Sequence, residues 1–144
     1  MPDARNGARF IADYLKARGV THVFFMDAIL RRSLIEMDKG AADQIKKNLT
    51  TLGSSQGQVI QSDAVSWLQG PATPFDLVFL DPPYFSKLIP PTLLSLKAGG
   101  WIAEDGIVII EHDEKEKVEI PDSFTRVDER KYGRAIVELL KIVQ

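Results

Sequence analysis

FDLVFLDPPY, residues 75–84, is the stretch on which the reading of the fold turns. Phe75, Leu77, Val78, Phe79 and Leu80 form a nearly unbroken apolar run interrupted only by Asp76. A short apolar run closed by turn residues is the pattern of a buried strand in a sheet covered by helices. Asp81-Pro82-Pro83 cannot prolong it, because each proline lacks the N–H that a ladder requires. The strand therefore ends at Leu80, and an acid, two prolines and Tyr84 follow at its carboxyl end. In open α/β sheets, ligands bind at that end.

The flanking sequence repeats the pattern. THVFFM (21–26), GQVIQ (57–61) and IVIIE (107–111) read as further buried strands. Between and before them lie helical patterns. In residues 8–18, Phe10, Ile11, Tyr14 and Leu15 fall at helical spacing with Gly19 as a C-cap. A short helix is expected near 64–69. Another is expected near 87–98, with Pro90 and Pro91 at its start, where a missing N–H costs little. Residues 123–127 and 134–142 read as two closing strands around Tyr132-Gly133, an antiparallel pair on an otherwise parallel sheet. Alternating strands and helices predict a three-layer α/β/α, Rossmann-like sheet. DEKEK, 113–117, is the longest charge block and reads as an exposed loop.

With 144 residues, the chain reads as one α/β domain, 1–144. Its composition, 44% hydrophobic and 26% charged with 10 Gly and 8 Pro, excludes a disordered, collagenous or low-complexity chain. The absence of cysteine excludes disulfides, thiolate metal sites and a cysteine nucleophile. No apolar run is long enough to span a membrane, and MPDARNGARF has no apolar core of a signal peptide. The expectation is a soluble, cytoplasmic protein without a membrane partner. A net charge of −2 offers no overall attraction to nucleic acid, so any such role needs a local patch.

SLIEMD, 33–38, has two readings: a strand with an acidic end, or the middle of one helix over 28–52. Leu30, Leu34, Met37, Ala41, Ile45, Leu49 and Leu52 recur at three- and four-residue steps, a helical stripe. A strand here would be separated from THVFFM by about half a dozen residues, whereas a parallel crossover takes a dozen or more. The spacing therefore predicts the helix, with Gly40 at a bend in its middle.

Asp81-Pro82-Pro83-Tyr84 carries the chemistry. The prolines fix the backbone and leave carbonyl oxygens as acceptors. Asp81 and the Pro82 carbonyl are then placed to hold an exocyclic amino group while Tyr84 stacks on the ring that bears it. The lone pair of a nucleobase amine is delocalised. Accepting its hydrogen bonds restores lone-pair character and aims the nitrogen at a methyl donor. A plain proline turn with an aromatic plug is the competing reading.

FDLVFLDPPY resembles the fourth motif of amino-directed, S-adenosylmethionine-dependent methyltransferases. IEMDKGAADQIKKNLTTLG, QVIQSDA, GWIAEDGIVIIEH and RKYGRAIVELL follow in the order found in RsmD-like enzymes, which methylate a guanine N2 in small-subunit ribosomal RNA. The resemblance covers residues 34–143. It implies a methyltransferase-type sheet, S-adenosylmethionine as cofactor and ribosomal RNA as partner. It also implies Glu36 at the cofactor ribose, Asp63 and Ala64 beside its adenine, and Asp81, Pro82, Pro83 and Tyr84 at the target base. Arg130, Lys131 and Arg134 would either touch RNA phosphate or form a solvated strand edge.

The family's opening strand and glycine-rich cofactor loop have no counterpart in this sequence: residues 1–33 contain only Gly7 and Gly19. NGARFIADYLKARGVTHVFF instead resembles the first helix and strand of the pyrimidine-binding domain of thiamine-diphosphate-dependent enzymes. The expectation is a chimera, natural or engineered, in which a foreign βα unit over 1–33 replaces the first βαβ and joins a methyltransferase-like body near SLIEMDKG. Cofactor binding is then impaired, and a non-catalytic scaffold that keeps the motif as a relic is the alternative. On the helical reading of 28–52, Glu36 is lost from the ribose site and Asp27 is the nearest acid to replace it. A sheet edge exposed by the missing unit would favour a homodimer. Glu111-His112-Asp113-Glu114 is not expected to bind metal, because consecutive strand residues face opposite ways. His22 has no partner histidine nearby, and Trp67 and Trp101 are expected as core anchors.

Overall fold

The computed structural model describes residues 23–26, 33–51, 53 and 57–143. Its strands are β1 (Val23–Met26), β2 (Ser33–Glu36), β3 (Gln58–Gln61), β4 (Phe75–Leu80), β5 (Ile102–Asp113), β6 (Phe124–Tyr132) and β7 (Ala135–Ile142). They form one sheet in the order β3-β2-β1-β4-β5-β7-β6. The five strands β1 to β5 are parallel, whereas β7 runs antiparallel to β5 and β6 antiparallel to β7. This is the mostly parallel, methyltransferase-type α/β sheet with antiparallel closing strands. The helices are α1 (Lys39–Thr51), α2 (Ala64–Trp67) and α3 (Ile89–Ala98). The helix pattern at 8–18 and the thiamine-enzyme likeness before residue 23 lie outside the described residues, as do His22 and Asp27.

Both faces of the sheet are buried. Val78, Leu80, Val108 and Ile110 pack under α2 and α3 with Leu68, Leu93 and Leu96. Leu77, Phe79, Ile107 and Ile109 point the other way, onto Ile45 and Leu49 of α1. That alternation is the period of two expected of strands covered on both sides. Trp101 anchors the first face: its ring lies 4.5 Å from that of Trp67, and its indole N–H donates to the Leu68 carbonyl at 2.8 Å.

β5 enters beside β4 through an irregularity, with Ile102 opposite Phe75 but Ile107 opposite Leu77. Gly106 sits in the extra turn of backbone. A Cβ there would come within 2.9 Å of the Ala103 carbonyl and 2.7 Å of the Ile102 side chain, so only glycine fits. Gly133, at φ +62°, opens the two-residue turn between Tyr132 and Ala135, as a hairpin with glycine in its first central position requires.

The helix expected over 28–52 is corrected. Ser33–Glu36 is a strand, paired through Leu34 with Phe25 of β1 on one side and with Val59 of β3 on the other. The helix begins at Lys39, where the Asp38 carboxylate accepts from the Ala41 N–H at 2.7 Å. Gly40 is therefore in the first turn and not at a mid-helix bend. Half of the stripe was real: Ile45 and Leu49 are buried on α1, whereas Met37 is 72% exposed. The crossover rule misleads because the paired strands are so short. Phe24 pairs with Ser33 and Met26 with Ile35. The return to the start of β2 is therefore about two residues of rise and one strand spacing, on the order of 8 Å. The six joining residues can reach about 20 Å.

β1 lies between β2 and β4, and β3 and β6 form the sheet edges among the described residues. No helix among these residues is long and apolar enough to cross a membrane.

Strand and helix readings of SLIE make opposite predictions. Leu34 and Ile35 are buried on opposite faces, so Leu34→Ala and Ile35→Ala should each cost about 2–5 kcal/mol in urea unfolding. Met37→Ala should stay within about 0.5 kcal/mol of wild type. A helix would reverse Ile35 and Met37.

Candidate active site

Because β2, β3 and β4 are parallel, their carboxyl ends come together at one side of the sheet, next to the point between β1 and β4 where the strand order reverses. Glu36 is the last residue of β2, Asp63 lies just beyond β3, and Asp81-Pro82-Pro83 follows β4. A cavity of about 260 Å³ opens among them, lined by Glu36, Met37, Asp63, Ala64, Pro82 and Pro83. The three residues expected at the cofactor and the two prolines thus share one space. Asp81 and Tyr84 stand beside it and do not line it.

The strand reading restores Glu36 to the end of a strand, correcting its expected loss. Glu36 is 7% exposed, and its carboxylate accepts from the Asp38 N–H at 2.7 Å. Asp38 in turn caps α1, so β2, the Glu36 carboxylate and the helix start form one rigid turn. Met37 and Asp38 also line the cavity, and the helical stripe hid them. The acid-rich end of the strand alternative was their one sequence signal.

Asp63 is the N-cap of α2: its carboxylate accepts from the Ser66 N–H at 2.8 Å. That backbone donor, followed by the Ser66 side chain, holds the carboxyl below its ordinary value. The residue expected beside adenine therefore also fixes the short helix that carries Ala64.

The loop after β4 is held from several sides. Asp81 is half-buried, Pro82 buried and Tyr84 42% exposed. Among the described residues, no donor reaches the Pro82 carbonyl. The Pro83 carbonyl accepts from the Ser86 N–H at 3.1 Å. The Tyr84 hydroxyl makes a long hydrogen bond, 3.4 Å, to Glu111 near the end of β5. Desolvation, then the Glu111 and Asp81 carboxylates, raises the phenol above its ordinary pKa, so it stays a neutral donor. The Phe85 N–H donates to the Glu116 carboxylate at 3.0 Å. Phe85 (φ 62°) and Lys87 (φ 59°) are the only non-glycine residues at positive φ among those described. Such positions cost on the order of 1–3 kcal/mol each and persist only where the surroundings impose them.

Glu111-His112-Asp113-Glu114 does not converge. Glu111 meets Tyr84, His112 meets the buried Glu138 at 2.8 Å, Asp113 meets Arg134 at 2.7 Å, and Glu114 pairs with Lys131. Among the described residues, no group of acids and histidines is arranged to hold a metal ion. The basic residues considered for RNA are all ion-paired on this hairpin: Arg130 with Asp128 at 2.9 Å, Lys131 with Glu114, and Arg134 with Asp113. The geometry describes a salt-bridged strand edge and adds no support for a phosphate patch.

The chain is similar to several known proteins. Ribosomal RNA small subunit methyltransferase D of Escherichia coli K12 is 37% identical over 81 residues, covering 56% of this chain and 41% of that protein. The protein of the same name from Haemophilus influenzae is 31% identical over 105 residues, covering 70% and 54%. The chain thus spans about half the length of the curated relatives it matches. A solved putative methyltransferase from Escherichia coli superposes with a TM-score of 0.79 at 24% identity, covering 99% of this chain and 87% of that one, a likeness of fold. The family described as conserved hypothetical protein 95 matches residues 21–141. That match takes in β1 to β6, all but the last residue of β7 and every residue of the cavity, and the chain belongs to this family.

Proposed function

We propose that the chain is the Rossmann-like body of an S-adenosylmethionine-dependent methyltransferase directed at the exocyclic amine of a guanine in ribosomal RNA. The observation that carries this reading is the single cavity in which Glu36, Asp63 and Ala64 meet Pro82 and Pro83. At about 260 Å³ it falls just below the roughly 300–1,000 Å³ of drug-sized pockets, which suits a nucleoside. Its donor set fits one: the Glu36 carboxylate would accept from ribose hydroxyls, with Asp63 and Ala64 beside the adenine.

S-adenosylmethionine, when bound, supplies an activated methyl group. The remaining chemistry belongs to the chain. Asp81 and the Pro82 carbonyl accept the two N–H bonds of the target amine, concentrate its lone pair and fix its direction. Tyr84, neutral and steadied through Glu111, stacks on the base. Buried Pro82 excludes water from its side of the approach.

β1 and β2 are joined by DAILRR, which contains no glycine, while close backbone approach to the amino-acid end of the cofactor calls for glycine. The family match begins at residue 21, so β1 belongs to the body and the departure lies in the connection after it. The nucleoside half of the cofactor is held, the methionine half is gripped weakly, and turnover is impaired.

Calorimetric titration separates these parts. Adenosine and S-adenosylhomocysteine should bind within about threefold of each other, and Glu36→Ala should weaken both by at least about tenfold, roughly 1.4 kcal/mol. Homocysteine-dependent affinity a hundredfold above that of adenosine would refute the weak grip; no binding of either ligand would leave the scaffold alternative.

Asp81→Ala should abolish methyl transfer to small-subunit ribosomal RNA while leaving unfolding free energy within about 1 kcal/mol of wild type. Radiolabelled methyl incorporation and urea melts read the two quantities. Transfer that survives the substitution would remove Asp81 from its role.

A further inference from the structure

Phe85 is the least comfortable residue of the loop that follows the two prolines. A bulky side chain at φ 62° is an outlier, and burial does not compensate for it, because the ring is 55% exposed. Lys87, at φ 59°, is also exposed and makes no ion pair among the described residues. The contacts that impose this path act elsewhere. Glu116 takes the Phe85 N–H, the Pro83 carbonyl takes the Ser86 N–H, and Glu111 takes the Tyr84 hydroxyl. Glycine at either position would allow the same path without the strain. A ring stands there instead, next in sequence to exposed Tyr84, with an ammonium group two residues further on.

An exposed aromatic face with a neighbouring cation is how proteins hold single-stranded nucleic acid: the ring stacks on a base and the cation meets the backbone. Bases inside a duplex are covered by their neighbours and have no face to offer, so such stacking takes splayed, unpaired nucleotides. We infer that Phe85 and Lys87 form a second nucleotide subsite, in which the Phe85 ring stacks on the base adjacent to the target and Lys87 meets the phosphate between them. The substrate is then a guanine in an unpaired RNA segment, and the adjacent base is held whatever its identity. This inference rests on the RNA-methyltransferase reading above.

The test is binding, independent of turnover. A short fluorescein-labelled single-stranded RNA with one guanosine is titrated by anisotropy, alongside the same RNA made abasic on either side of that guanosine. Phe85→Gly should weaken binding of the intact RNA about tenfold, leave binding of one abasic RNA unchanged, and melt at or above the wild-type temperature because strain is relieved. Lys87→Gln should reduce the dependence of log affinity on log salt by about one. Should Phe85→Gly fail to fold, Phe85→Leu, which keeps bulk but not the aromatic face, should weaken the intact RNA several-fold with an unchanged melt. Wild type that binds RNA while the Phe85 variants bind it equally well, or lose both RNAs alike, overturns the subsite and leaves the RNA reading standing. Wild type that binds no RNA overturns both.

Discussion

The ladder through Leu34, Ile35 and Glu36 is the constraint from which the site follows. On one side these residues pair with Val59, Ile60 and Gln61; on the other, Leu34 and Ile35 pair with Phe25 and Met26. Without that strand, β3, which stands at the sheet edge, would have no neighbour among the described strands and would lose its ladder hydrogen bonds. Parallel pairing then fixes where the strands stop. Glu36, Asp63 and Asp81 reach the same edge because β2, β3 and β4 share a direction, not because anything in the three acids draws them together.

That dependence explains what could be read locally and what could not. FDLVFL was legible because a strand buried on both faces needs apolar residues at nearly every position, and two prolines mark its end. The closing hairpin was legible from Tyr132-Gly133 between two apolar runs. SLIE was misread because its four residues carry too little pattern to outweigh a stripe that continues, truly helical, through Ile45 and Leu49. Its strand state is decided by β1 and β3, which are distant in the chain or separated from it by a connection shorter than the usual rule allows. The identity of Glu36 as an acid after a strand could be quoted from a family likeness, but its burial and its bond to the Asp38 N–H depend on that non-local pairing.

The charges of the carboxyl-terminal hairpin show a second limit. A run of residues such as Asp128, Glu129, Arg130 and Lys131 looks in sequence like either a nucleic-acid surface or a solvated face. Cross-strand geometry decides between them, since Glu138 of β7 takes both His112 and Arg126, and Asp113 at the end of β5 takes Arg134. These pairs join β5, β6 and β7 side by side. Their number leaves little net positive charge on that edge, in keeping with an overall charge of −2.

The same end of β5 links this hairpin to the loop after β4. Glu111 leaves the strand next to His112 and reaches Tyr84, and Glu116, past the turn that the Asp113 carboxylate caps at Lys115, reaches the Phe85 backbone. A carboxylate that accepts a backbone N–H can hold a residue at positive φ only if the carboxylate is itself held. Here the turn at Asp113 holds it, fixed from the other side by Arg134. The strain at Phe85 is thus maintained by a chain of charged contacts that begins in the hairpin, which is why the residues that shape the loop after β4 lie about thirty positions beyond it. Arg134, for which the sequence left RNA phosphate and a solvated strand edge both open, is joined to this loop through Asp113.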